Sequence, residues 1–331
     1  MIDQRKKYSI DYSNYQGIVD RDIFRKILLD LGKIEKEIVF LGVDSISSSG
    51  GNLFKEKFPH RVFDFGIAEP NMIAAAAGFA ILNKIPIASL YGFLITRVAE
   101  QIRNDVCYNN LNVKIYSNTT SFDLPTAGVT HHGLEDISFL RCFPNITIIQ
   151  PASPLEAIIA SYKAILDFKG PVYLRLTRDM SEEIYKEEDL KFEIGKANIL
   201  KEGEDITFIA TGRTVHLAKR TAVTLEKKGI SVRLINMHTL KPIDEQVIIK
   251  SAIETKGIIT IEDSNINGGL GSAVCQIVCE KSPTIVKMVG VSKNKFSVIA
   301  PSSQKLWEYF GITEENLIKI TKEILCKARL N

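Results

Sequence analysis

Cysteine is scarce and scattered in this 331-residue chain: Cys107, Cys142, Cys275, Cys279 and Cys326 form no CxxC pair, and no His stands beside them at zinc-ligand spacing. A disulfide framework and a zinc module are excluded, and the thiols are expected to be structural ones in a reducing compartment. Charge of one sign is equally scarce. Lys and Arg total 42 against 39 Asp and Glu, a surplus of +3 that is too small for a phosphate-backbone footprint, so no nucleic acid partner is expected. Apolar runs stay well short of the roughly 18 residues that a membrane span needs, and the basic start MIDQRKKYSIDYSNY has no apolar stretch behind it. Neither a membrane segment nor a secretion signal is read, and a cytoplasmic location is expected.

What is present is an ordinary folded composition, 45% hydrophobic and 24% charged, over a length that corresponds to about two domains at roughly 150 residues each. Mostly apolar runs at 37–43, 85–91, 112–117, 146–151 and 171–176 predict buried strands, with helices expected at 20–31, 70–82, 94–108, 134–141 and 153–168. Strand and helix alternate, which predicts a parallel sheet covered on both faces. The segment SEEIYKEEDLKFE holds eight charged residues in thirteen and reads as a linker. A second series follows, with strands at 205–211, 230–236, 257–263 and 284–289 and helices near 213–228, 244–254, 270–280 and 313–328. The expected fold is α/β, two tandem three-layer domains with mostly parallel sheets, at 1–180 and 194–331 with the linker at 181–193.

Three segments carry candidate chemistry. Glu69 precedes Pro70 and an Ala-rich stretch ending at Gly78, whose small residues let another helix or a subunit approach closely. Pro70 suits a first helical turn and disfavours helical geometry at Glu69, so a helix-cap role for Glu69 is expected beside any chemical one. Leu90-Tyr91-Gly92-Phe93 ends an apolar strand, where ligands bind in open α/β sheets. Thr130-His131-His132-Gly133 follows a strand and a long loop, and His131 is a candidate acid, base or oxygen-binding donor. Two glycine loops are read as bland: Ser47 to Asn52 as a turn, and Gly268-Gly269-Leu270-Gly271 as structural, with Glu262 and Asp263 as surface or interface carboxylates.

Taken in order, FGIAE-NM-AAAAGFA, FL-x-x-R-x-x-EQIRNDV (93–106), VTHHGLEDISFLRCFPNITIIQPASPLEA (129–157), PVYLRLTR (171–178), RLINMHTLKPID (233–244) and IEDSNINGGLGSAV (261–274) resemble the C-terminal section of transketolase. The likeness spans about residues 19 to 290. It implies a thiamine-diphosphate pyrimidine-binding fold followed by a transketolase C-terminal domain-like fold. It also implies thiamine diphosphate as cofactor, with Glu69 on the pyrimidine ring nitrogen, Phe93 stacked on the ring, and Leu90 beside it. His131 then lies near the reacting hydroxyl and carbonyl groups, and Arg21 and Arg178 bind a sugar phosphate.

The chain departs from the family's pattern at Pro70, at Ala127 where the family has an acidic residue, and at Asn118 and Thr119, near which many members carry a phosphate-contacting histidine. No Gly-Asp-Gly motif occurs, so no metal site is assigned to this chain. Mg²⁺ (or Ca²⁺) and the diphosphate are expected on a transketolase N-terminal-section subunit, paired with this chain in a two-fold heterotetramer that acts on phosphorylated sugars. The alternatives are a deoxyxylulose-phosphate synthase-like or other acyloin-forming enzyme using pyruvate, and the pyrimidine-side subunit of a 2-oxo-acid dehydrogenase. A reading of a different class is a non-catalytic regulatory subunit.

Overall fold

A computed structural model describes residues 8, 10–15, 20–178, 182–291 and 294–328. Strands β1 (Ile38–Gly42), β3 (Ile85–Ser89), β4 (Lys114–Ser117), β5 (Thr147–Ile149) and β6 (Val172–Arg175) are buried at every position. That is why their sequences run apolar without alternation: helices cover both faces of the sheet. Helix Asp20–Ile34 covers one face through Ile23, Phe24, Ile27, Leu28 and Leu31, spaced three and four apart. Each such buried side chain contributes about 1.5–3 kcal/mol of transfer free energy.

The first sheet has seven strands in the order β10-β5-β6-β4-β3-β1-β2, with β2 at Val62–Asp64. Its outermost strand β10 (Thr239–Lys241) belongs by sequence to the second half and pairs antiparallel with β5. The other neighbours pair parallel, so their carboxyl ends open on one edge. The second sheet has the order β12-β11-β8-β9-β7, from β7 (Asn198–Lys201), β8 (Ile206–Ala210), β9 (Val232–Asn236), β11 (Ile258–Asn265) and β12 (Val286–Val291). It is parallel except at β7.

Two tandem α/β domains with mostly parallel sheets are therefore observed, and the long elements fall where periodicity places them. The stretch expected as one helix at 94–108 is instead a 3₁₀ helix Gly92–Val98, a single α turn and a π-helical segment Ile102–Cys107. Leu94 N donates to Tyr91 O three residues back, which winds its start tightly. Residues 182–193 carry no helix or strand, yet Phe192 is buried against the first domain's core. All five cysteines are free and three, Cys142, Cys279 and Cys326, are exposed, so the expectation that the thiols are structural fails for those three. Among the described residues no helix is long and apolar enough to cross a membrane.

Candidate functional site

Loops from five parallel strands, β1, β2, β3, β4 and β6, meet at the carboxyl edge of the first sheet. After β1, the Ser45–Gly51 turn closes on itself through Ser49 N to Ser45 O (2.8 Å) and Gly51 N to Ile46 O (2.8 Å). Ser48 on this turn reaches across the edge: its hydroxyl lies 2.7 Å from Tyr91 Oη, and its carbonyl accepts from Asn118 Nδ2 at 3.0 Å. The turn is thus more than the plain connection expected, and Ser48 is a site residue that the sequence reading passed over. Nothing local marks it, because Tyr91 and Asn118 arrive from β3 and β4.

Phe93 is held by backbone. Gly92 N donates to Thr119 O at 2.8 Å, and Ser121 and Gly133 exchange bonds of 2.8 and 3.1 Å. A Cβ on Gly133 would sit 2.9 Å from Phe93 N and from Gly92 C, so only glycine allows this approach. The two loops are pinned together, and the Phe93 and His131 rings come to 4.8 Å between centroids. His131 is exposed, with Nδ1 2.9 Å from Thr130 Oγ1.

Its neighbour His132 is spent on structure. Nε2 donates to Leu124 O (3.1 Å), leaving Nδ1 to accept from Ser297 Oγ (2.6 Å), and burial lowers its pKa. Leu90 is 1% exposed inside the apolar cluster with Val39, Leu41 and Ala88.

Glu69 is the first residue of helix Glu69–Ile81, and Ala68 is its N-cap. The cap role expected for Glu69 is not what the fold uses, since the helix starts one residue before Pro70. A proline is tolerated there because first-turn amides have no intrahelical partner anyway. Glu69 is buried at 5% exposure, and among the described residues no hydrogen-bond donor is in position for Oε2. Arg97 Nε lies 3.1 Å from that oxygen but outside hydrogen-bond alignment, and Arg97 is itself 58% exposed. Glu69 follows β2 and Phe93 follows β3, both parallel to β1, so the carboxylate and the aromatic come off the same carboxyl edge of the sheet. Helix Glu69–Ile81 buries Met72, Ile73, Ala76 and Ala77 and leaves Asn71, Ala74, Gly78 and Ile81 exposed.

Arg178 follows β6. Its backbone N–H donates to Asp123 Oδ2 (2.9 Å) and its Nε to Thr119 Oγ1 (2.9 Å), and its guanidinium carbon lies 5.9 Å from the Tyr91 ring centroid. Asn118 and Thr119 are buried beneath it, while Ala127 is exposed. The Arg21 side chain lies outside the described residues. The edge therefore gathers Glu69, Phe93, His131 and Arg178 with Ser48 and Tyr91, and among the described residues no cluster of three or more His, Cys, Asp or Glu could hold a metal.

Glu262 and Asp263 correct the expectation of surface or interface carboxylates. Both are fully buried. Glu262 accepts from Leu270 N (2.9 Å), Gly271 N (2.8 Å) and Ser264 Oγ (2.8 Å), which uses the amides of the Gly268–Gly271 loop and leaves them unavailable to an anion. Asp263 joins the two halves: Arg175 Nη1 (3.1 Å) and Arg213 Nε (2.8 Å) both donate to it, and Arg175 Nε donates to Asp136 (2.7 Å). Burial acts to raise the pKa of Asp263, but Arg213 and Arg175 outweigh it and hold it below the usual carboxylate range.

The transketolase pyrimidine-binding domain family matches residues 16–182, and the transketolase C-terminal domain family matches residues 195–317. The chain is 35% identical over 305 residues to the 6-deoxy-6-sulfo-D-fructose transketolase subunit SqwH of Clostridium sp. (strain MSTE9), covering 92% of this chain and 94% of that one. The chain belongs to the transketolase family. It is also 35% identical to the 1-deoxy-D-xylulose-5-phosphate synthase of Desulfotalea psychrophila, where it covers 92% of itself but only 48% of that protein. A solved structure named "Split gene transketolase, inactive beta4 tetramer" superposes at a TM-score of 0.84 with 36% identity, over 94% of this chain and 99% of that one. The carboxyl edge described above lies in the transketolase pyrimidine-binding domain.

Proposed function

We propose that this chain is the pyrimidine-side subunit of a two-subunit, thiamine-diphosphate-dependent transketolase that moves a two-carbon ketol unit between phosphorylated sugars. The observation that carries the proposal is Glu69 Oε2, a buried carboxylate oxygen without a donor among the described residues, on the same carboxyl edge as Phe93. A buried acceptor without a donor is costly, and a ring nitrogen of a bound pyrimidine would supply one in its protonated, N–H form. When bound, the cofactor supplies the carbon nucleophile that breaks and remakes the bond to the ketol unit.

The chain's own residues orient and protonate. Glu69 Oε2 holds or releases a proton toward the pyrimidine ring, and Phe93 gives the ring an apolar face with Leu90 behind it. His131, exposed beside Phe93, donates to or accepts from substrate oxygens. Arg178, anchored on Thr119, turns its remaining guanidinium edge to a phosphate. Arg21 is assigned to the same phosphate from sequence alone.

Without a Gly-Asp-Gly motif, the diphosphate and Mg²⁺ (or Ca²⁺) are assigned to a partner subunit of the transketolase N-terminal-section kind. The exposed small-residue face of helix Glu69–Ile81 offers the close contact, and two such pairs about a two-fold axis give a heterotetramer. The near full-length likeness to split-transketolase subunits, one of them named as an inactive tetramer, supports this division.

The test is to assay the chain alone and mixed with the copurifying diphosphate-binding subunit on a panel of ketose phosphates and pyruvate, with sedimentation equilibrium for mass. Ketol transfer by the mixture only, at heterotetramer mass, is expected. Tight Mg²⁺-dependent cofactor binding and turnover by this chain alone would overturn the division. Turnover of pyruvate instead of ketose phosphates would favour the synthase-like reading, which the half-length likeness to deoxyxylulose-phosphate synthase supports.

A further inference from the structure

The second sheet has a carboxyl edge that the transketolase reading leaves without a role. From β8 the chain moves to β9 on one side and then crosses to β11 and β12 on the other, so β8 and β11 flank a reversal of strand order. In open α/β sheets, ligands bind outside the carboxyl ends at such a point. The turn after β8 supplies Arg213, and helix Thr214–Glu226 supplies His216 and Arg220. Together with Trp307 and the first two residues of helix Ser303–Phe310 they line a cavity of about 240 Å³.

Of its basic side chains, Arg213 is paired with Asp263 and Asp123, whereas His216 and Arg220 meet Glu182, a carboxylate that comes from the connecting segment rather than from either sheet. Glu182 Oε2 lies 3.1 Å from His216 Nδ1 and 3.8 Å from Arg220 Nη1 while Glu182 remains 66% exposed. His216 is oriented for this contact because Nε2 donates to Ala152 O at 2.8 Å. The helix that begins at Ser303 adds the positive end of its dipole. An internal carboxylate therefore holds, loosely, the position that an external oxyanion would take.

We propose that this cavity is a binding site for inorganic phosphate or a phosphate monoester, whose entry displaces the Glu182 carboxylate. A phosphate dianion presents three oxygens, enough to engage the Nδ1–H of a His216 imidazolium, the Arg220 fork and the helix start together, where one carboxylate spans two groups. The site also reaches the first domain. Arg213, in its wall, donates from Nη1 to Asp123 Oδ1 (3.1 Å), and the other Asp123 oxygen accepts Thr120 N (3.0 Å) and Arg178 N (2.9 Å). Occupancy would thus be felt at the backbone that places Arg178, a consequence that rests on the transketolase reading, whereas the binding itself does not.

The experiment is ³¹P line broadening and calorimetry on the full chain, with no partner or thiamine present, using inorganic phosphate and, separately, glycerol 2-phosphate. Arg220→Ala is expected to weaken binding by roughly tenfold or more, since a charge-assisted contact is lost from an exposed side chain that the fold does not need. Glu182→Gln is expected to tighten binding several-fold, about the effect of removing a weakly held competitor. Arg178→Ala should leave this binding in place. Binding of both probes marks a phosphate-ester site, and binding of inorganic phosphate alone marks a free-phosphate site; either supports the proposal. Binding that ignores both Arg220→Ala and Glu182→Gln, or that disappears with Arg178→Ala, overturns it.

Discussion

Arg175 and Glu69 are both charged and both removed from water, yet their surroundings differ in kind. Arg175 is fully buried, and its guanidinium is enclosed by Asp136, Asp263 and the Gly133 carbonyl, with Tyr173 sharing the Asp136 oxygen. Among the described residues Glu69 has one ion-pair partner, misaligned and mostly in solvent. At the seam between the domains each charged group has an aligned charged partner, although Asp136 Oδ1 is left without a donor, while Glu69 at the carboxyl edge has no aligned one. On the proposed function, the difference separates groups that hold the fold from a group kept for a ligand.

The largest expected effect lies at the seam. Arg175→Met removes the shared cation and leaves two buried carboxylates short of a partner, which should cost roughly 3–5 kcal/mol. Chemical denaturation followed by circular dichroism measures it. Adding Asp136→Leu should recover part of the loss, because an unpaired buried charge costs more than its removal. If Arg175→Met loses less than about 1 kcal/mol, the seam is not the structural half of the comparison.

Glu69→Gln should do the reverse. Its melting curve is expected to match the wild type, since the ion pair lost among the described residues is to exposed Arg97. Turnover of the reconstituted pair should fall by about 100-fold or more, the usual contribution of a positioned proton-transfer group. Near wild-type turnover would reduce Glu69 to a helix-start carboxylate.

Much of the fold could be read from the chain because the buried strands are near-continuous apolar runs and the long helices are periodic. The elements that were missed are short or depend on distant partners. β10 has three residues and is a strand only because β5, ninety positions away, accepts it. β2 is three residues and partly exposed, so it has no burial pattern to read. At the site, Glu69, Phe93 and His131 stood in recognisable segments. Ser48 did not, because its role rests on contacts to Tyr91 and Asn118 that only the folded sheet makes. Glu262 and Asp263 look like surface acids in sequence, and nothing local announces the amides and arginines that enclose them.

A smaller effect tests the buried acids through pH. Burial pushes the Glu262 carboxyl up to about 7 from 4.5, against its three donors. Between those values the native state keeps a proton that the unfolded chain has released, so this group's contribution makes stability fall as pH rises through the window. Glu156, also raised to about 7 by burial, acts in the same sense, and His238, lowered to about 3, acts oppositely below about pH 6.5. The difference between Glu262→Gln and wild type isolates the one group. The variant should be less stable at pH 4.5, having lost an acceptor, but its deficit should shrink by something on the order of 2 kcal/mol by pH 7.5. A deficit constant with pH would mean that Glu262 is ionised throughout.

The smallest expected effect is at Arg178, where the open edge meets a firm anchor. Nε is committed to Thr119 Oγ1 and the backbone N–H to Asp123, so the side chain is aimed before any substrate arrives. Arg178→Met should therefore raise KM for phosphorylated substrates by about tenfold, the value of one charge-assisted contact at a partly exposed site, and leave kcat within a factor of about two. Arg178→Lys should fall between them, because a lysine keeps the charge but has no Nε to hold on Thr119 while its head reaches the phosphate. If Lys behaves like Arg, only the charge matters and the Thr119 anchor is incidental. If Met lowers kcat as much as it raises KM, Arg178 acts in the reacting complex rather than in binding, and the edge is as tightly built as the seam.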